Sequence, residues 1–365
     1  MKPPRVVHLV PAPFGGTDGV TGGAERYAFE LARHMAEVVP TSLLTFGEAD
    51  RVEWIGPLRR RILRSRWFVR GQRSNPLAAA MLGELARADV IHCHQQHIAA
   101  SSLAAAAARL ARRRVFVTDL GGGGFDVSGY ISTDSWYHGH LHISRYSRHV
   151  SGHDGRSGAH VIGGGVDIEV FRPDPARRRD GTVIAVGRLL PHKGTNYVIE
   201  AVDDRTPVEI IGREADSRFL ADLQQMARGK RVVFRHDADD TALVTAYRRA
   251  GCVVQASVYR DMYGNETKVP ELLGLTLIEA MACGAPCICT SVASLPEVVE
   301  DGVTGLVVPP NDPRALGDAI RRILSRPEES ARMGEAGRRR VLERFTWPAV
   351  VERCLRIYTA PAGDW

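Results

Sequence analysis

Residues 271–296 read ELLGLTLIEAMACGAPCICTSVASLP, and this stretch decides the fold. It places two carboxylates, Glu271 and Glu279, eight residues apart across a loop-to-helix junction. Gly274 ends the loop, and Thr276 is the N-cap candidate of the helix that follows. We therefore expect Glu271 to lie in the loop and Glu279 to lie two turns into the helix.

The start of this helix predicts a phosphate site. The first N–H groups of a helix have no acceptor within it, and the helix dipole places partial positive charge at the same end. The N–H groups of Gly274, Leu275 and Thr276 are therefore expected to hold an anion. Glu271 and Glu279 could then both reach hydroxyl groups, an arrangement that suits a nucleotide sugar.

The residues after the helix indicate a parallel sheet. Gly284 and Pro286 stop the helix. Residues 285–290 form a short apolar run, which is typical of a buried parallel strand. The whole unit therefore belongs in an α/β sheet.

The same region carries a family resemblance. The pattern E-x7-E, the run A-M-A-x-G-x-P and the later segments PEVV at 296–299 and DGVTGLVV at 301–308 resemble the retaining family 4 glycosyltransferases of GT-B fold. The resemblance implies an α/β protein of two doubly wound Rossmann-like domains that face a central cleft. It implies an acceptor-side domain at residues 1–175, a nucleotide-sugar-binding domain at 176–345, and a C-terminal helix at 346–365 that packs back onto the first.

Length and composition agree with two globular domains. A chain of 365 residues is too long for one ordinary core, and its 44% hydrophobic and 25% charged residues describe a soluble protein. No apolar run reaches the length of a membrane span, and residues 1–13 lack the apolar segment of a secretory signal. We therefore expect a cytoplasmic protein, with peripheral contact at the inner membrane face as a further possibility.

The positions of the cysteines and lysines limit the kinds of site that the chain can form. Six cysteines without a C-x-x-C pair argue against a disulfide framework and a zinc ribbon, and Cys283, Cys287 and Cys289 are predicted to be core residues. The net charge of +6 permits an anionic partner without choosing among nucleotide, lipid and nucleic acid. Lysine occurs only at positions 2, 193, 230 and 268, so Lys193 within a motif is informative.

Arg188 and Lys193 are predicted to clamp a diphosphate. Both follow a strand-like run at 182–186, in the segment GRLLPHKG, and they place a guanidinium and an ammonium five residues apart. In the resembled family this pair stabilises the leaving group. The alternative is a pair of surface cations after a strand.

The N-terminus reads as a strand, a glycine-rich loop and a helix. Residues 5–10 are strand-like, and residues 24–36 show helical periodicity. The glycines between them do not follow the dinucleotide fingerprint. They match instead the GG-x-E form, at Gly22 and Gly23, that lies near the donor phosphates and acceptor in the resembled family. A mobile loop before a helix is the alternative.

His94 closes a strand-like run at 89–94, and the carboxyl ends of such strands are where open α/β sheets bind ligands. In the resembled family this histidine contacts the donor sugar. His92, His94 and His97 could also be metal ligands, although no cysteine or carboxylate cluster accompanies them. The histidines at 138, 140 and 142 alternate in the same way, which predicts a strand with one polar face.

The acceptor side is assigned to the segment after the strand at 114–119. Asp119 stands where many relatives carry a histidine, and a glycine run that includes Gly122 and Gly123 follows it. Four consecutive glycines are costly to order, so the loop either stays mobile or passes close to a ligand. Asp119 could accept a hydrogen bond from a sugar or an amine.

Two segments lie outside the shared motifs. Residues 258–270 precede Glu271 and are predicted to shape the acceptor or donor pocket, with a plain surface loop as the alternative. Residues 59–70 hold six arginines around large apolar side chains and could touch an anionic membrane or a lipid-phosphate acceptor. A solvated helix or a loop for an acidic acceptor is the other interpretation.

The resulting hypothesis is hexosyl transfer from a nucleotide diphosphate sugar, UDP- or GDP-linked, to a hydroxyl of a sugar, lipid-linked or small-molecule acceptor, with retention. No metal or other cofactor and no nucleic acid is expected. In the resembled family, Glu271 holds sugar hydroxyls and Glu279 the ribose diol. The D-x-D pair at Asp237 and Asp239 belongs to a different glycosyltransferase fold and is common by chance.

Three other kinds of function are compared with the motifs of this sequence. A nucleotide-sugar epimerase or a phosphorylase of the same fold would keep the phosphate clamp. A catalytically silent homologue in a glycan-assembly complex would keep the sheets and lose the clamp, which is intact in this sequence. An NAD-dependent oxidoreductase would need the glycine fingerprint that this chain lacks.

Overall fold

The computed structural model describes residues 3–13, 23–121 and 124–361. The chain divides into two compact units, Met1–Gly164 with Trp347–Trp365, and Gly165–Thr346. The boundary between them lies at Gly164, whereas the sequence places it at residue 175.

The first unit is built on an eight-stranded sheet in the order β10-β9-β8-β7-β1-β2-β4-β3. All neighbouring strands are parallel except β3 and β4, which form an antiparallel pair at one edge. The elements of the unit are β1 (Val6–Pro13), α1 (Gly23–Ala36), β2 (Thr41–Gly47), β3 (Arg51–Ile55), β4 (Leu58–Arg64), β5 (Trp67–Phe68), β6 (Pro76–Leu77), α2 (Met81–Leu85), β7 (Val90–Cys93), α3 (Ala99–Leu110), β8 (Arg114–Val117), β9 (Gly139–His142), α4 (Arg145–Val150) and β10 (Ala159–Val161).

The second unit is built on a six-stranded parallel sheet in the order β13-β12-β11-β14-β15-β16. Its elements are β11 (Val183–Val186), α5 (Thr195–Ala201), β12 (Val208–Ile211), α6 (Ser217–Met226), β13 (Val232–Arg235), α7 (Asp240–Arg249), β14 (Cys252–Gln255), α8 (Leu275–Ala282), β15 (Cys287–Thr290), α9 (Leu295–Val298), β16 (Gly305–Val308), α10 (Pro313–Ser325) and α11 (Pro327–Arg344). The last helix, α12 (Trp347–Thr359), belongs to the first unit.

The central strands are buried because helices cover both faces of each sheet. In the first unit α1 buries Tyr27, Leu31 and Met35, and all four residues of β7 are buried. In the second unit all four residues of β14 and of β15 are buried. The α/β class, the parallel sheets and most strand positions predicted from the sequence are therefore confirmed.

Two predicted elements differ in the structure. The apolar run at 161–166 predicts a strand, but β10 ends at Val161. Val166 instead bridges to Thr346, and its N–H donates to the Phe345 carbonyl at 2.9 Å, so it belongs to the second unit. Three glycines at 163–165 interrupt the apolar run, and glycine disfavours a continuous strand.

The arginine-rich stretch at 59–70 is not a helix. Its first part forms β4, which pairs antiparallel with β3, and its second part contains β5. Leu58, Ile62 and Leu63 are buried in this strand. A run of three arginines between apolar residues matches neither the helical nor the strand repeat of apolar positions. The strand forms because it buries the apolar side chains.

All six cysteines are free and buried, as predicted for core residues. Among the described residues, none of the helices combines the length and the hydropathy that a membrane-spanning segment needs.

Candidate functional site

Lys193 is positioned by a tight turn at the carboxyl end of β11. Pro191–Lys193 forms one turn of 3-10 helix, and Gly194 follows in the left-handed conformation at φ 68°. A Cβ at Gly194 would lie only 1.8 Å from the carbonyl oxygen of Ala256, just beyond β14. Only glycine allows this close approach, which presses the turn onto the edge of the sheet where β11 and β14 end.

Lys193 forms an ion pair with Glu271. The two side-chain atoms Nζ and Oε2 are 2.9 Å apart, and Nζ also donates to the Pro270 carbonyl at 3.2 Å. The Gln255 amide donates to the same Oε2 atom. The Ser294 hydroxyl fixes the backbone by donating to the Glu271 carbonyl at 3.2 Å. Two predicted site residues thus meet at one point, with Gln255 as a third member that the sequence did not identify.

Arg188 lies on the same connection and is exposed. Within the described part of the chain its guanidinium makes no hydrogen bond or ion pair. Burial, followed by the positive charges of Lys193 and Arg188, lowers the pKa of His192. Both cations therefore act on the same small region, as the predicted diphosphate clamp requires.

Helix α8 begins two residues earlier than predicted. Gly274 is its N-cap residue and adopts φ 91° and ψ 48°. Thr276, the predicted N-cap, lies in the first turn instead, because glycine alone adopts this left-handed conformation without strain. The N–H groups of Leu275 and Thr276 have no acceptor within the helix, and the predicted binding of an anion by them stays a prediction.

Glu279 lies inside the second unit, one turn from the start of α8 rather than two. Its side chain is buried, and it accepts a hydrogen bond from the Tyr247 hydroxyl at 3.1 Å. Burial, followed by the charge of Glu279, raises the pKa of Tyr247 well above its ordinary value. In this conformation the carboxylate packs against α7, and its predicted contact with hydroxyl groups stays a prediction.

Gln255 and Tyr247 were missed for different reasons. Gln255 is a polar residue that closes an otherwise apolar strand, a signal that the sequence did show. Tyr247 lies on the buried face of α7, where an aromatic residue is ordinarily part of the core. Only the packing of α7 against α8 reveals its contact with Glu279.

The segment at 258–270 is an ordered loop folded on the second unit. Asp261 accepts hydrogen bonds from the backbone N–H groups of Tyr263 at 2.9 Å and Asn265 at 3.0 Å. The Tyr263 ring lies under the Arg218 guanidinium, 4.4 Å from ring centroid to Cζ. The Tyr259 hydroxyl accepts from the Ala293 N–H at 3.0 Å. Its predicted role in shaping a pocket stays a prediction.

In the first unit, His94 is part of a buried group of three histidines. His8 and His92 are opposite each other on β1 and β7, and His94 follows β7. His94 is 3% exposed, and its Nε2 lies 2.8 Å from His8 Nδ1. Burial lowers the pKa of His8 to about 3 and lowers the pKa values of His92 and His94 as well. All three imidazoles are therefore neutral at pH 7.

These three histidines converge closely enough to hold a metal ion, and so do Asp134, His140 and His153. His97, a predicted alternative ligand, lies elsewhere and pairs with the Ser128 hydroxyl at 2.9 Å. Hydrogen bonds already account for most nitrogens of the first group. In the second group the Asp134 carboxylate is taken by the Arg156 guanidinium at 2.5 Å and by the Gln96 amide.

The alternating histidines form a strand with one polar face, as predicted, for two of their three members. His140 and His142 share one face of β9, which is buried, whereas His138 lies just before the strand. Burial raises the pKa of Asp134, yet the hydrogen bonds from Arg156 and Gln96 outweigh it and lower that pKa to about 2.

The remaining predicted residues lie at element ends. Asp119 follows β8, is partly buried, and accepts from the Gly121 N–H at 3.3 Å. Gly23 is the first residue of α1. Gly22, Gly122 and Gly123 lie outside the described residues. Asp239 caps α7 by accepting from the Ala242 N–H at 2.7 Å, which gives the D-x-D pair a structural role.

Part of the chain is similar to a known protein family. Residues 167–340 match the family described as Glycosyl transferases group 1. Among curated proteins, the chain is 31% identical over 229 residues to D-inositol 3-phosphate glycosyltransferase of Geodermatophilus obscurus, covering 56% of this chain and 48% of that protein. It is 30% identical over 227 residues to alpha-maltose-1-phosphate synthase of Mycobacterium tuberculosis, covering 54% and 56%. The chain thus spans about half the length of these relatives.

A third relative is the GDP-mannose-dependent alpha-(1-6)-phosphatidylinositol monomannoside mannosyltransferase of Mycolicibacterium smegmatis, 31% identical over 224 residues, covering 56% of this chain and 58% of that protein. Among solved structures, Anabaena Alr3699/HepE in complex with UDP and glucose has a TM-score of 0.73 at 18% identity, covering 96% of this chain and 98% of that one. Sucrose-phosphate synthase from Thermosynechococcus elongatus has a TM-score of 0.73 at 21% identity, covering 97% and 98%. These structures share the fold.

The chain therefore has the GT-B fold, and its residues 167–340 are similar to the family Glycosyl transferases group 1.

Proposed function

We propose that this protein transfers a hexosyl group from a nucleotide diphosphate sugar to an acceptor hydroxyl. The observation that carries the proposal is the Lys193–Glu271 ion pair, held at 2.9 Å by Gln255 and the end of β11. The unpaired Arg188 lies on the same connection. Together they provide a cation for the diphosphate and a fixed carboxylate for the sugar.

We propose that this geometry assists the departure of the leaving group. As the bond from the anomeric carbon to the diphosphate breaks, negative charge grows on the diphosphate oxygens. We propose that Arg188, Lys193 and the first N–H groups of α8 stabilise that charge, because fixed positive groups near a leaving group lower the barrier to its departure. These groups supply the positive charge that a metal would otherwise supply, so we propose a reaction that needs no metal.

Glu271 is proposed to hold the sugar. Within the described residues only its Oε2 is engaged, by Lys193 and Gln255, which leaves Oε1 to accept hydrogen bonds from sugar hydroxyls. Because Lys193 and Gln255 fix the position of this carboxylate, we propose that Glu271 binds the sugar and takes no part in proton transfer. We propose that the reaction retains the configuration of the anomeric carbon, as the resemblance implies.

Glu279 is proposed to act at the ribose diol. Its carboxylate is buried against Tyr247. It lies one turn from the start of α8, where the diphosphate is proposed to bind. His94, Asp119 and the glycine loops of the first unit remain proposals for the sugar and acceptor contacts.

The donor is proposed to be a UDP- or GDP-sugar. One structural neighbour was solved with UDP and glucose, and one relative is named as GDP-mannose-dependent. The relatives named for D-inositol 3-phosphate and for phosphatidylinositol monomannoside suggest a polyol phosphate or a glycolipid as the acceptor class.

A peripheral membrane contact is also proposed, at a surface that keeps the second half of the stretch 59–70 indicated by the sequence and extends beyond it. Arg59, Arg60 and Arg61 are paired with acidic side chains. The exposed side chains lie further along. Together with the partly buried Phe125 they form what we call the aromatic basic surface: Arg66, Trp67, Phe68, Arg70, Arg73, Phe125, Tyr130 and Ile131.

The two segments of the aromatic basic surface meet at Phe125. The Arg70 guanidinium lies 3.3 Å from the Phe125 ring centroid, and the Tyr130 ring lies 5.6 Å from it. Trp67 is 65% exposed and Tyr130 is 74% exposed. Residues 64–80 contain no acidic side chain. Exposed aromatic rings among arginines fit the interface of an anionic bilayer.

The test of the main proposal is transfer from a panel of nucleotide diphosphate sugars, by the wild type and by Arg188→Ala. The proposal requires that at least one donor be consumed and that the Arg188→Ala variant lose most of that activity.

A further inference from the structure

The imidazole of His94 uses one ring nitrogen and leaves the other without a partner. Its Nε2 lies 2.8 Å from His8 Nδ1. Its Nδ1 is buried and has no hydrogen-bond partner among the described residues. His92, directly beside it, differs because both of its nitrogens are used, one by the Tyr358 hydroxyl at 2.6 Å and one by the Thr118 hydroxyl at 2.7 Å.

Met35 decides where His8 carries its proton. The Met35 Sδ atom lies 3.2 Å from His8 Nε2. A thioether sulfur has no hydrogen to donate and can only accept. His8 must therefore carry its hydrogen on Nε2, and as a neutral ring it presents a bare lone pair at Nδ1.

The proton of His94 follows from that of His8. Because His8 Nδ1 only accepts, the 2.8 Å contact requires His94 to donate from Nε2. A neutral ring carries one ring proton, so His94 Nδ1 is a bare lone pair as well. Burial keeps both rings neutral by lowering their pKa values.

A buried acceptor without a partner lowers the stability of the unliganded protein. It gains a hydrogen bond when a donor binds beside it. The relay from Met35 through His8 to His94 therefore presents an acceptor to whatever reaches His94. A hydroxyl group can satisfy it. A carboxylate or an unprotonated phosphate oxygen, which only accepts, cannot.

We propose that His8, held by Met35, is a positioning residue that makes His94 Nδ1 an acceptor for a sugar hydroxyl. The tautomer follows from the contacts of the three side chains, whereas the identity of the ligand as a sugar rests on the proposed function. The consequence is a specificity rule: the group that meets His94 must be a hydrogen-bond donor.

The tautomer is measured without any sugar. In the full chain labelled with 15N-histidine, long-range 1H–15N spectra at pH 7.5 distinguish a bare ring nitrogen from a protonated one, and loss of signals in His94→Gln assigns the residue. We expect a bare Nδ1 and a protonated Nε2 for His94. A protonated Nδ1, or a cationic ring, would overturn the inference.

Two variants separate the relay from simple packing. Met35→Leu keeps the volume and removes the sulfur acceptor, so His8 is no longer held in one tautomer and a second set of His94 signals should appear. Thr118→Val is the matched control, because it removes a partner of His92 and leaves the relay intact. Equal effects of both variants on the His94 signals would contradict a specific relay.

Sugar recognition is tested with mono-deoxy analogues of the donor that the wild type uses. We expect one analogue to bind about tenfold more weakly than the parent, and that difference to vanish in His94→Phe and shrink in His8→Phe. If the wild-type and His94→Phe proteins show the same pattern, the specificity rule is wrong. If no nucleotide sugar binds at all, the proposed function fails and the specificity rule with it, while the tautomer result still stands on its own.

Discussion

Lys193 Nζ lies 2.9 Å from Glu271 Oε2, although 78 positions of sequence separate the two residues. The side chains are 20% and 17% exposed, so the pair is largely withdrawn from water. Removal of one member of such a pair leaves the other charge uncompensated, which costs more than the pair itself contributes. Lys193 and Glu271 are therefore expected to behave as one unit.

A double-mutant cycle tests this coupling. Lys193→Met should lower kcat by roughly 10²–10³-fold and weaken nucleoside diphosphate binding, because a cation is lost and Glu271 becomes a bare negative charge beside the phosphates. Glu271→Gln, which keeps the shape and removes the charge, should mainly impair use of the sugar. The double variant should bind the nucleoside diphosphate better than Lys193→Met does. Additive losses in affinity would contradict the coupling.

Gly194 should be the least replaceable glycine near the site. Gly194→Ala forces a Cβ to within 1.8 Å of the Ala256 carbonyl, so we expect a loss of about 3 kcal/mol in the free energy of unfolding. Gly229→Ala is the matched control, since Gly229 has a similar φ of 78° but nothing within 4 Å of its Cβ position. It should cost about 1 kcal/mol. Urea unfolding measures both, and equal losses would mean that the contact with Ala256 is not what constrains the turn.

Tyr247→Phe should weaken nucleotide binding without removing any group from the clamp. It deletes the hydroxyl that donates to Glu279 at 3.1 Å and leaves a buried carboxylate with one partner fewer. We expect a loss of about 1–3 kcal/mol in stability. Phe219→Leu, a change in the core away from α8, controls for loss of packing: it should lower stability and leave nucleotide affinity unchanged. Unchanged nucleotide affinity in Tyr247→Phe would argue that Glu279 has only a structural role.

The three buried histidines predict a loss of stability in mild acid. The pKa of His8 is about 3 in the folded protein and 6.5 when exposed, so between these values the unfolded chain binds more protons than the folded one. This contribution is fully present above pH 6.5 and is lost as the pH falls toward 3. Each such histidine contributes a slope of up to about 1.4 kcal/mol per pH unit.

The matching experiment is urea unfolding at pH 7.5 and pH 5.5 for the wild type and for His8→Phe. The variant should show a shallower dependence on pH, because one proton-binding group of the unfolded chain has been removed. Phe219→Leu is the control, since it alters the buried core without removing a histidine, and it should leave the slope as it is in the wild type. Equal slopes in all three proteins would show that His8 does not titrate on unfolding.

Membrane contact is tested by sedimentation with vesicles. The wild type should bind vesicles that contain anionic lipid, and binding should fall with added salt because arginine charges are screened. Trp67→Ser should weaken binding. Trp54→Ser is the control, since Trp54 is 68% exposed but lies on β3, outside the aromatic basic surface. Equal binding to neutral vesicles, or equal losses in the two variants, would rule out this surface.

The sequence predicts the positions of helices and strands better than it predicts which residues contact each other in the folded chain. Apolar runs and glycine or proline stops are local, and they place β7, β11, β15 and α8 within a few residues. The order of strands in a sheet is not local: β1 lies between β7 and β2. The contact of His8 with His94 depends on that order, and so no spacing in the sequence could reveal it.

The candidate site shows the same division. Arg188, Lys193 and Glu271 were predicted because charged residues at the ends of strands and helices carry a chemical signal. Tyr247 was not, because a tyrosine on the apolar face of a helix looks like any core residue. Thr276 was assigned as the N-cap from residue type, but the backbone of Gly274 determines where α8 begins.

The central claim is that Arg188 and Lys193 hold the diphosphate of a nucleotide sugar. The most direct measurement is thermal stabilisation of the wild type, Arg188→Ala and Arg228→Ala by nucleoside diphosphates and their sugars. Arg228 is an exposed arginine after α6 and serves as the matched control. One nucleotide at a hundred times its dissociation constant should stabilise the wild type and Arg228→Ala by about 2.7 kcal/mol, and Arg188→Ala by much less. Equal stabilisation of all three proteins, or none by any nucleotide, would contradict the claim.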